Sequence, residues 1–296
     1  MGEAGEFSMT STSKTVLITG GTDGLGKAAA LLLARHHYQV FAAGRSAQKR
    51  DELERQAHEE RLPLRTLEMD VCDDASVQIG VELVLEKGGA IDVLVNSAGV
   101  GYMGVVEELR LSDFRRQFET NFFGLLRVTK AVLPHMRTRR SGRILMLSSA
   151  AALASPPTYG AYSASKRALE GMSDALRLEM HPFGVDVVLI EPGYIATNFQ
   201  QMAKELAAPY VEKASQSPYA GVYSGTWTSS ERARKKSHTT AEDCARVLLK
   251  AVEARDPMPR YPVTPLAKWL SFGKRILPDK VFDALMRKRF QVPRKS

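Results

Sequence analysis

Three side chains in the middle of the sequence could together move a proton to or from an oxygen atom. Tyr162 and Lys166 are four residues apart in a segment of helical character, so both are predicted on one helix face. An ammonium a few ångströms from a phenol favours the phenolate and lowers the phenol pKa from its ordinary value of about 10. Ser149 follows the apolar run Arg143–Ser148, which predicts a buried strand. Its hydroxyl is therefore predicted at the carboxyl end of a strand, where parallel α/β sheets bind ligands.

A glycine-rich turn near the N-terminus predicts a phosphate site. The apolar run Thr15–Thr19 is followed by Gly20, Gly24 and Gly26, and then by an alanine- and leucine-rich helix over Lys27–Arg35. Glycine lets the backbone approach a pyrophosphate closely, and a helix N-terminus supplies oriented N–H groups. A strand, a glycine turn and a helix in this order therefore indicate dinucleotide binding.

Short apolar runs alternate with helical segments along most of the chain. This alternation predicts an α/β fold: a Rossmann-type, three-layer, doubly wound and mostly seven-stranded parallel sheet with helices on both faces. A long helix is predicted from Ser112, as its N-cap, to about Arg139, and it contains Asn121, a poor residue for a helix interior. Further strands are predicted at Gln39–Gly44, Leu64–Met69, Ile91–Val95, Val185–Ile190 and Arg260–Val263, and a further helix at 161–180.

The order and spacing of these motifs resemble the short-chain dehydrogenase/reductase family over about residues 14–200. Three further segments are similar to the 17β-hydroxysteroid and retinol dehydrogenase-like branch: Asn121-Phe-Phe-Gly124, Ile190-Glu-Pro-Gly193 and Arg260-Tyr-Pro-Val263. The resemblance implies an oxidoreductase that acts on CH–OH groups with NAD(P). The motifs that carry it are Thr19-Gly-x-x-x-Gly-x-Gly26, Asn96-Ser-Ala-Gly99, Ser149 thirteen residues before Tyr162-x-x-x-Lys166, and Pro192-Gly-x-x-x-Thr197. Ser97 departs from the family pattern, which usually has a second asparagine there.

The resemblance also implies roles for individual residues. Tyr162 would exchange a proton with the substrate oxygen, while Ser149 donates a hydrogen bond to that oxygen. Lys166 would lower the Tyr162 pKa and bind the nicotinamide ribose, and Asn121 would order a water that relays protons. The cofactor-binding residues implied are Gly20, Thr22, Asp23, Gly24, Leu25, Gly26, Arg45, Ser46, Asp70, Val71, Asn96, Ala98, Gly99, Tyr162, Lys166, Pro192, Gly193, Ile195 and Thr197.

The end of the second predicted strand favours NADP(H) over NAD(H). Gly44 stands where NAD-specific relatives carry an acid, and Arg45, which follows, suits a 2′-phosphate. Asp23 opposes this preference, because it stands where many NADP-preferring relatives carry lysine or arginine. No metal site is expected, since Cys72 and Cys244 match no metal-ligand spacing and the six histidines are scattered.

The chain has 296 residues, 44% of them hydrophobic, and a formal net charge of +8. Residues 255–296 hold eleven lysines and arginines against three acids, so the basic excess lies in the C-terminal part. We expect a leader over 1–13 that is disordered or an added segment, and a single catalytic domain over 14–263. A substrate lid is expected over about 194–238, and its aromatic residues suggest an apolar pocket. An amphipathic, basic extension is expected over 264–296.

The expected substrate is a small lipophilic ketone, aldehyde or matching alcohol, steroid- or retinoid-like. Two stretches of the extension, Pro265–Ile276 and Pro278–Phe290, are predicted as amphipathic helices, in which Val281, Phe282, Leu285 and Met286 share a face. They could dip into an anionic membrane surface or fold back over the pocket mouth. The protein is expected in the cytoplasm, peripheral to a membrane in the first case.

Two alternative functions stay open at this point. A 3-oxoacyl thioester reductase would use the basic extension near the pocket mouth, and a binding module would sense NADP without catalysis. A homodimer or homotetramer is expected from the resemblance, formed through the helices predicted at 112–139 and 161–180. Nucleic acid is not an expected partner, because the basic extension lacks interleaved aromatic residues and a recognised motif.

Overall fold

Seven parallel strands form one sheet in the order β3-β2-β1-β4-β5-β6-β7. The computed structural model describes residues 13–195 and 197–293. The order reverses direction between β1 and β4, and the carboxyl ends of the strands define the ligand-binding edge of such sheets. The expectation of a seven-stranded, doubly wound sheet is confirmed. The strands are β1 Thr15–Thr19, β2 Gln39–Gly44, β3 Leu64–Glu68, β4 Val93–Asn96, β5 Gly142–Leu147, β6 Val185–Glu191 and β7 Arg260–Pro262.

Helices cover both faces of the sheet. On one face α1 packs against α10, and on the other α3, α5 and α7 lie side by side along the strands. The helices of the described residues are α1 Gly24–Arg35, α2 Ala47–Glu59, α3 Asp74–Gly88, α4 Leu111–Phe118, α5 Leu125–Arg139, α6 Ala150–Ala154, α7 Gly160–Met180, α8 Asn198–Val211, α9 Ala220–Lys236, α10 Ala241–Glu253, α11 Pro265–Ile276 and α12 Asp279–Arg289.

The two faces of the sheet have separate hydrophobic cores. Alternate side chains of a strand point to opposite faces, so Val16 and Ile18 of β1 enter one core while Leu17 enters the other. All three are fully buried, as are most residues of the central strands. Continuous apolar runs in the sequence are typical of strands buried on both faces in this way.

The helix predicted from about Ser112 to Arg139 contains a change of helix type. It begins at Leu111 with Arg110 as an N-cap that makes no side-chain capping hydrogen bond, and a π-helical turn over Glu119–Gly124 lies between α4 and α5. The long helix is therefore present, since the backbone stays helical from Leu111 to Arg139, but Ser112 as its cap was wrong. The turn holds Asn121, whose side chain bonds the backbone of Val100 outside the helix. Wide turns of this kind are frequent at functional sites.

The lid and the C-terminal extension are both helical. Helices α8 and α9 form the segment predicted as a lid, and α11 and α12 form the extension. Helix α11 packs on α6 beside the end of β5, and Phe282 of α12 is buried against it. The leader predicted over 1–13 lies outside the described residues except for Ser13.

Candidate active site

The turn between β1 and α1 is built from glycines that leave room for nothing larger. Gly20 has φ +61° and Gly24 has φ +49°, a region that side-chain-bearing residues rarely adopt. A Cβ on Gly20 would lie 2.9 Å from the Cα of Ala98, and one on Gly26 would lie 2.1 Å from the carbonyl oxygen of Gly20. The loop is therefore fixed close to the neighbouring β4 turn, with the N-terminus of α1 at the sheet edge.

Asp23, which opposed NADP binding in the sequence, is already paired within the protein. It is the N-cap of α1, and its carboxylate accepts hydrogen bonds from the Gly24 N–H at 2.7 Å, from Asn198 at 2.9 Å and from Lys49. Burial raises the pKa of Asp23, but these three partners outweigh it and hold the pKa below its ordinary value. Lys49 thus compensates the charge of Asp23, and the sequence did not single out Lys49.

The end of β2 has no space for an acidic side chain in its present packing. A Cβ on Gly44 would come within 2.3 Å of the Oγ1 of Thr22, which is buried. Arg45 extends outward and pairs with Asp70 at 3.4 Å, and Ser46 caps α2 by accepting from the Lys49 N–H. Cationic groups therefore gather at this end of the sheet.

Ser149 and Tyr162 meet at the carboxyl end of β5. Ser149 is the N-cap of the short helix α6, where its Oγ accepts a hydrogen bond from the Ala151 N–H at 3.1 Å. Tyr162 lies in the first turn of α7 and is buried. Burial raises the pKa of the Tyr162 phenol to about 12, and a hydrogen bond with Ser149 offsets part of that rise. The phenol consequently keeps its proton at neutral pH.

Lys166 follows Tyr162 by one turn of α7 and is also buried. Its ammonium donates a hydrogen bond to the Leu147 carbonyl at 2.6 Å and lies 6.0 Å from the centre of the Tyr162 ring. Burial lowers the pKa of Lys166 to about 8. Burial is the largest influence on the phenol pKa in this structure, and the ammonium bonds a backbone carbonyl, so the lowering of the Tyr162 pKa by Lys166 stays a prediction.

The two asparagines proposed for the site are tied to protein groups. Both ends of the Asn121 amide bond Val100, with Oδ1 accepting at 2.8 Å and Nδ2 donating at 3.0 Å, and Nδ2 also reaches Ser165 at 3.4 Å. Asn96 is fully buried, and its Nδ2 donates to Thr129 at 2.9 Å. Asn121 thereby fixes the loop that follows β4, and its part in a water relay stays a prediction.

The segment after β6 closes the other side of the site. The Pro192 carbonyl accepts from the Ala150 N–H at 2.8 Å, which joins this segment to the turn that carries Ser149. Thr197 caps α8, in a capping box completed by Gln200, whose side chain also donates to the Ile195 carbonyl. The backbone proposed to hold the nicotinamide carboxamide is thus fixed at both ends.

One cavity of about 620 Å³ runs along the carboxyl edge of the sheet. It brings together three of the four proposed catalytic residues, Ser149, Tyr162 and Lys166. Seven of the proposed site residues do not line it: Thr22, Arg45, Ser46, Asp70, Val71, Asn96 and Asn121. The proposed residues that do line it are Gly20, Asp23, Gly24, Leu25, Gly26, Ala98, Gly99, Ser149, Tyr162, Lys166, Pro192, Gly193, Ile195 and Thr197.

The far end of the cavity is an apolar chamber that the extension helps to enclose. Its wall includes residues of the β4–α4 loop, of α6 to α8 and of the two C-terminal helices. The extension therefore folds back over the cavity, which was one of the two alternatives. The apolar residues lining the chamber include Met103, Ala154, Pro156, Tyr159, Phe199, Met202, Leu266, Leu270, Met286 and Phe290.

Most of the lid tyrosines do not face this chamber. Tyr210 bonds the carboxylate of Asp113, and the Tyr223 phenol donates to Glu108 at 2.7 Å. Tyr219 likewise bonds Glu107. The aromatic residues that suggested an apolar pocket thus fasten the lid to α4 and to the loop before it. Tyr210 and Tyr223 are buried, and a buried phenol needs a hydrogen-bond partner. Phe199 and Met202 do line the chamber as expected.

The helix predicted over Pro278–Phe290 presents two apolar faces rather than one. Phe282 is buried and Met286 lines the cavity, whereas Val281 and Leu285 are exposed on the outer side. The prediction that these four residues share one face was wrong. The inward residues Phe282 and Met286 are four positions apart, and Val281 and Leu285 lie on the neighbouring, exposed side of the helix.

Two features of the site fit a nicotinamide dinucleotide. The glycines of the turn have no side chains, so a phosphate group can approach their backbone closely, and the N-terminus of α1 opens onto the cavity. A phenol, a serine hydroxyl and a buried lysine line the same cavity. A parallel sheet with this edge defines a dinucleotide-dependent oxidoreductase.

Comparison with known proteins agrees with this class. The family model described as short chain dehydrogenase matches residues 14–207. The chain is 31% identical over 280 residues to the uncharacterized oxidoreductase YusZ of Bacillus subtilis (strain 168), spanning 93% of this chain and 98% of that protein. It is 35% identical over 261 residues to retinol dehydrogenase 8 of Bos taurus, spanning 85% and 82%. The chain belongs to the short-chain dehydrogenase/reductase family, in the branch that resembles retinol and steroid dehydrogenases.

A solved structure supports the same assignment of fold. An actinorhodin polyketide ketoreductase variant, solved with NADPH, matches with a TM-score of 0.74 at 25% identity, covering 86% of this chain and 97% of that one. Members of the family bind NAD or NADP. The protein is therefore an oxidoreductase of the short-chain type that uses a nicotinamide cofactor.

Proposed function

We propose that the protein reduces a lipophilic ketone or aldehyde with NADPH, or oxidises the matching alcohol. The observation that carries this proposal is that Ser149 and Tyr162 line the same cavity as the glycine turn and a set of apolar side chains. The dinucleotide would be held by the glycine turn, by Lys166 and by the backbone from Pro192 to Thr197. When bound, the cofactor supplies the hydride.

Tyr162 would donate the proton that the substrate oxygen needs. Because burial raises its pKa to about 12, the phenol is protonated at neutral pH and is suited to act as an acid. Ser149 would donate a hydrogen bond to the same oxygen and stabilise the charge that develops there. This protonation state favours reduction over oxidation, since oxidation would require Tyr162 to accept a proton.

The cations at the end of β2 support a preference for NADP(H). Arg45 is exposed, pairs with Asp70 at 3.4 Å, and follows a glycine whose Cβ position is occupied by Thr22 in the present packing. Lys49 lines the cavity and compensates Asp23, so the carboxylate repels a 2′-phosphate less than the sequence suggested. Arginine suits a phosphate because it can donate two parallel hydrogen bonds.

A panel of carbonyl compounds of graded size tests this function. We expect NADPH oxidation, followed at 340 nm, to be faster with bulky lipophilic ketones than with small ones, and faster with NADPH than with NADH. Arg45→Ala should weaken NADPH binding about tenfold, corresponding to a charged hydrogen bond of about 1.4 kcal/mol, and leave NADH binding unchanged.

The outcomes of this panel separate the alternatives. Equal use of both cofactors by the wild-type protein would exclude the NADP preference. Turnover confined to pantetheine thioesters would favour a 3-oxoacyl thioester reductase, whose acidic substrate could use Arg289 on the cavity lining. Binding of NADPH without any turnover across the panel would favour a sensing module.

We also propose that the outer face of the extension contacts an anionic lipid surface. Trp269, Phe272 and Ile276 are exposed and form one stripe on α11, at spacings of three and four. Val281 and Leu285 are exposed on α12. The surrounding basic excess complements anionic head groups, and apolar residues beside such charges are typical of interfacial helices. Within 13–195 and 197–293, no helix combines the length and apolarity needed to cross a bilayer.

Co-sedimentation with vesicles tests this contact. We expect binding to vesicles of phosphatidylcholine with phosphatidylserine, and weaker binding to phosphatidylcholine alone. The pair Trp269→Gln and Phe272→Gln should abolish binding, while Ile79→Gln on α3, which is equally exposed, should not. Unchanged binding by the double variant would exclude the outer face of the extension as the contact.

A further inference from the structure

Consecutive residues at the end of β5 pair with residues one turn apart on α7. The Leu147 carbonyl accepts the hydrogen bond from Lys166, and the Ser148 hydroxyl donates to a carboxylate oxygen of Glu170 at 2.6 Å. The catalytic serine and tyrosine form the third pair of this series. The end of β5 is thus joined to one face of α7 at three successive helical turns, which carry Tyr162, Lys166 and Glu170.

Glu170 is a buried charge in a cluster that joins α7 to the strands β6 and β7. Its side chain is 3% exposed, and Arg260 of β7 donates to it at 3.0 Å. The same guanidinium donates to Glu191 of β6 at 3.0 Å and to Asp174 at 2.6 Å. Ser271 of α11 also donates to Glu191, which links the cluster to the extension. Three acids therefore share one arginine below the site.

Burying these charges adds little to stability by itself. Desolvating two carboxylates costs several kcal/mol each, and a buried ion pair often does no better than apolar residues of similar volume. The cluster lies directly below Lys166 rather than in a remote part of the core. A role in positioning and charging the site explains its location better than a role in stability.

We propose that Glu170 is a positioning residue that holds Lys166 in its ammonium form and fixes α7 in register with β5. Its catalytic consequence rests on the function proposed above. Lys166 is 4% exposed, and within the described residues its ammonium forms no ion pair. The ammonium donates a hydrogen bond to the Leu147 carbonyl, and the charged side chains around it lie farther away. The carboxylate one turn further along the same helix supplies the compensating charge.

The direction of the coupling follows from the surroundings of both groups. Burial lowers the pKa of Lys166, and the Glu170 charge opposes that fall. Burial raises the pKa of Glu170, Glu191 adds to the rise, and Ser148 and Arg260 oppose it. The remaining charged groups that face Glu170 are Asp174, through Arg260, and Arg167 at 3.9 Å.

Removal of the Glu170 charge should therefore move the Lys166 titration to lower pH. The ammonium is present below its pKa of about 8 and is lost above it, so a lower pKa means loss of the charged lysine nearer neutrality. We expect Glu170→Gln to shift the Lys166 midpoint down by about one pH unit, the size of a single charge effect across a buried site.

An NMR titration of the protein labelled with ¹³C-lysine measures this midpoint, with Lys166→Arg assigning the resonance. Ser148→Ala is the matched variant, because it removes the hydrogen bond between Ser148 and Glu170 and leaves the carboxylate charge in place. Its Lys166 midpoint should stay within about 0.3 pH units of the wild-type value. Equal midpoints in Glu170→Gln and the wild type, or equal shifts in both variants, would overturn the proposal.

Kinetics give a second measure that a purely structural role would not move. In Glu170→Gln the alkaline fall of kcat/KM for carbonyl reduction should begin at lower pH, with the plateau at acidic pH preserved. If Glu170→Gln does not fold, Glu170→Met has a similar volume, needs no polar partner and carries the same test. Because the NMR titration needs no substrate, a protein inactive on every carbonyl would refute the proposed function and still decide the role of Glu170.

Discussion

Tyr162→Phe should lose about 10²- to 10⁴-fold in kcat for carbonyl reduction, the range typical of a lost general acid. The substitution removes the phenolic oxygen that bonds Ser149 and keeps the ring that packs on Phe199 at 5.6 Å between centroids. Dissociation constants for NADPH should change by less than about threefold, since the proposed role of the hydroxyl is toward the substrate oxygen. Single-turnover absorbance at 340 nm measures the rate of carbonyl reduction, and quenching of protein fluorescence measures the dissociation constant for NADPH.

Tyr159 provides the matched control for this prediction. It also lines the cavity, lies 6.4 Å from Tyr162 between ring centroids, and has its pKa raised by burial. Its hydroxyl bonds Ser230 of the lid rather than Ser149. Tyr159→Phe should therefore retain kcat within about tenfold. Equal losses in both variants would mean that general packing of the cavity, and not the Tyr162 proton, limits the reaction.

Gly225→Val should open the substrate chamber by displacing the C-terminal segment. A Cβ on Gly225 would lie 2.3 Å from the Phe290 carbonyl oxygen, and one on Gly221 would lie 2.7 Å from Pro293. Ser229, one turn further along α9, donates to the Arg289 carbonyl at 2.7 Å. This face of α9 thus holds the end of α12 by close backbone contact. A larger side chain there leaves no room for that contact.

The consequence should depend on the size of the substrate. Loss of the wall formed by Met286 and Phe290 should lower kcat/KM for bulky ketones at least tenfold, which corresponds to about two methylene groups of lost apolar contact. Turnover of a small carbonyl compound should change by less than about threefold.

Gly171→Val is the control for the cost of valine in a helix, because a Cβ there meets nothing within 4 Å. Its kcat/KM should match the wild type on both substrates, with a melting temperature no lower than that of the wild type, because glycine is the poorer helix former. If Gly225→Val reduced turnover of small and bulky carbonyls equally, the extension would contribute to general stability and not to the chamber.

The glycine turn and the doubly wound parallel sheet could be predicted from the sequence because each follows from local patterns. Gly20 and Gly26 are required by contacts of 2.9 and 2.1 Å that any Cβ would make, so their spacing carries geometric information. The alternation of apolar runs and helical segments then leaves few topologies that bury both faces of a sheet. The placement of Ser149 at a strand end follows from the same pattern.

The lid and the extension could not be placed by the same reasoning. An amphipathic helix has two faces, but its sequence does not say what each face meets, so the inward positions of Phe282 and Met286 were not separable from their neighbours. The phenol of Tyr223 bonds Glu108 across 115 positions of sequence, a pairing that composition alone does not contain. Tyrosines that fasten a lid and tyrosines that line a pocket look alike before folding.

The π turn and the phenol pKa were missed for related reasons. The sequence signal within Glu119–Gly124 is Asn121, a poor residue for a helix interior, and it does not specify that the helix widens into a π turn there. The spacing of Tyr162 and Lys166 places them on one face, but the pKa of the phenol depends on how deeply it is buried and on where the ammonium is bonded. Both depend on packing between distant segments.

The central claim is that a buried phenol keeps its proton for the substrate oxygen, and an NMR titration of ¹³Cζ-labelled tyrosine tests it most directly. Tyr162→Phe assigns the resonance in the protein alone. We predict that Tyr162 stays protonated from pH 6 to pH 9, in keeping with a pKa of about 12. A Tyr162 resonance that titrates to the phenolate within that range would contradict the claim.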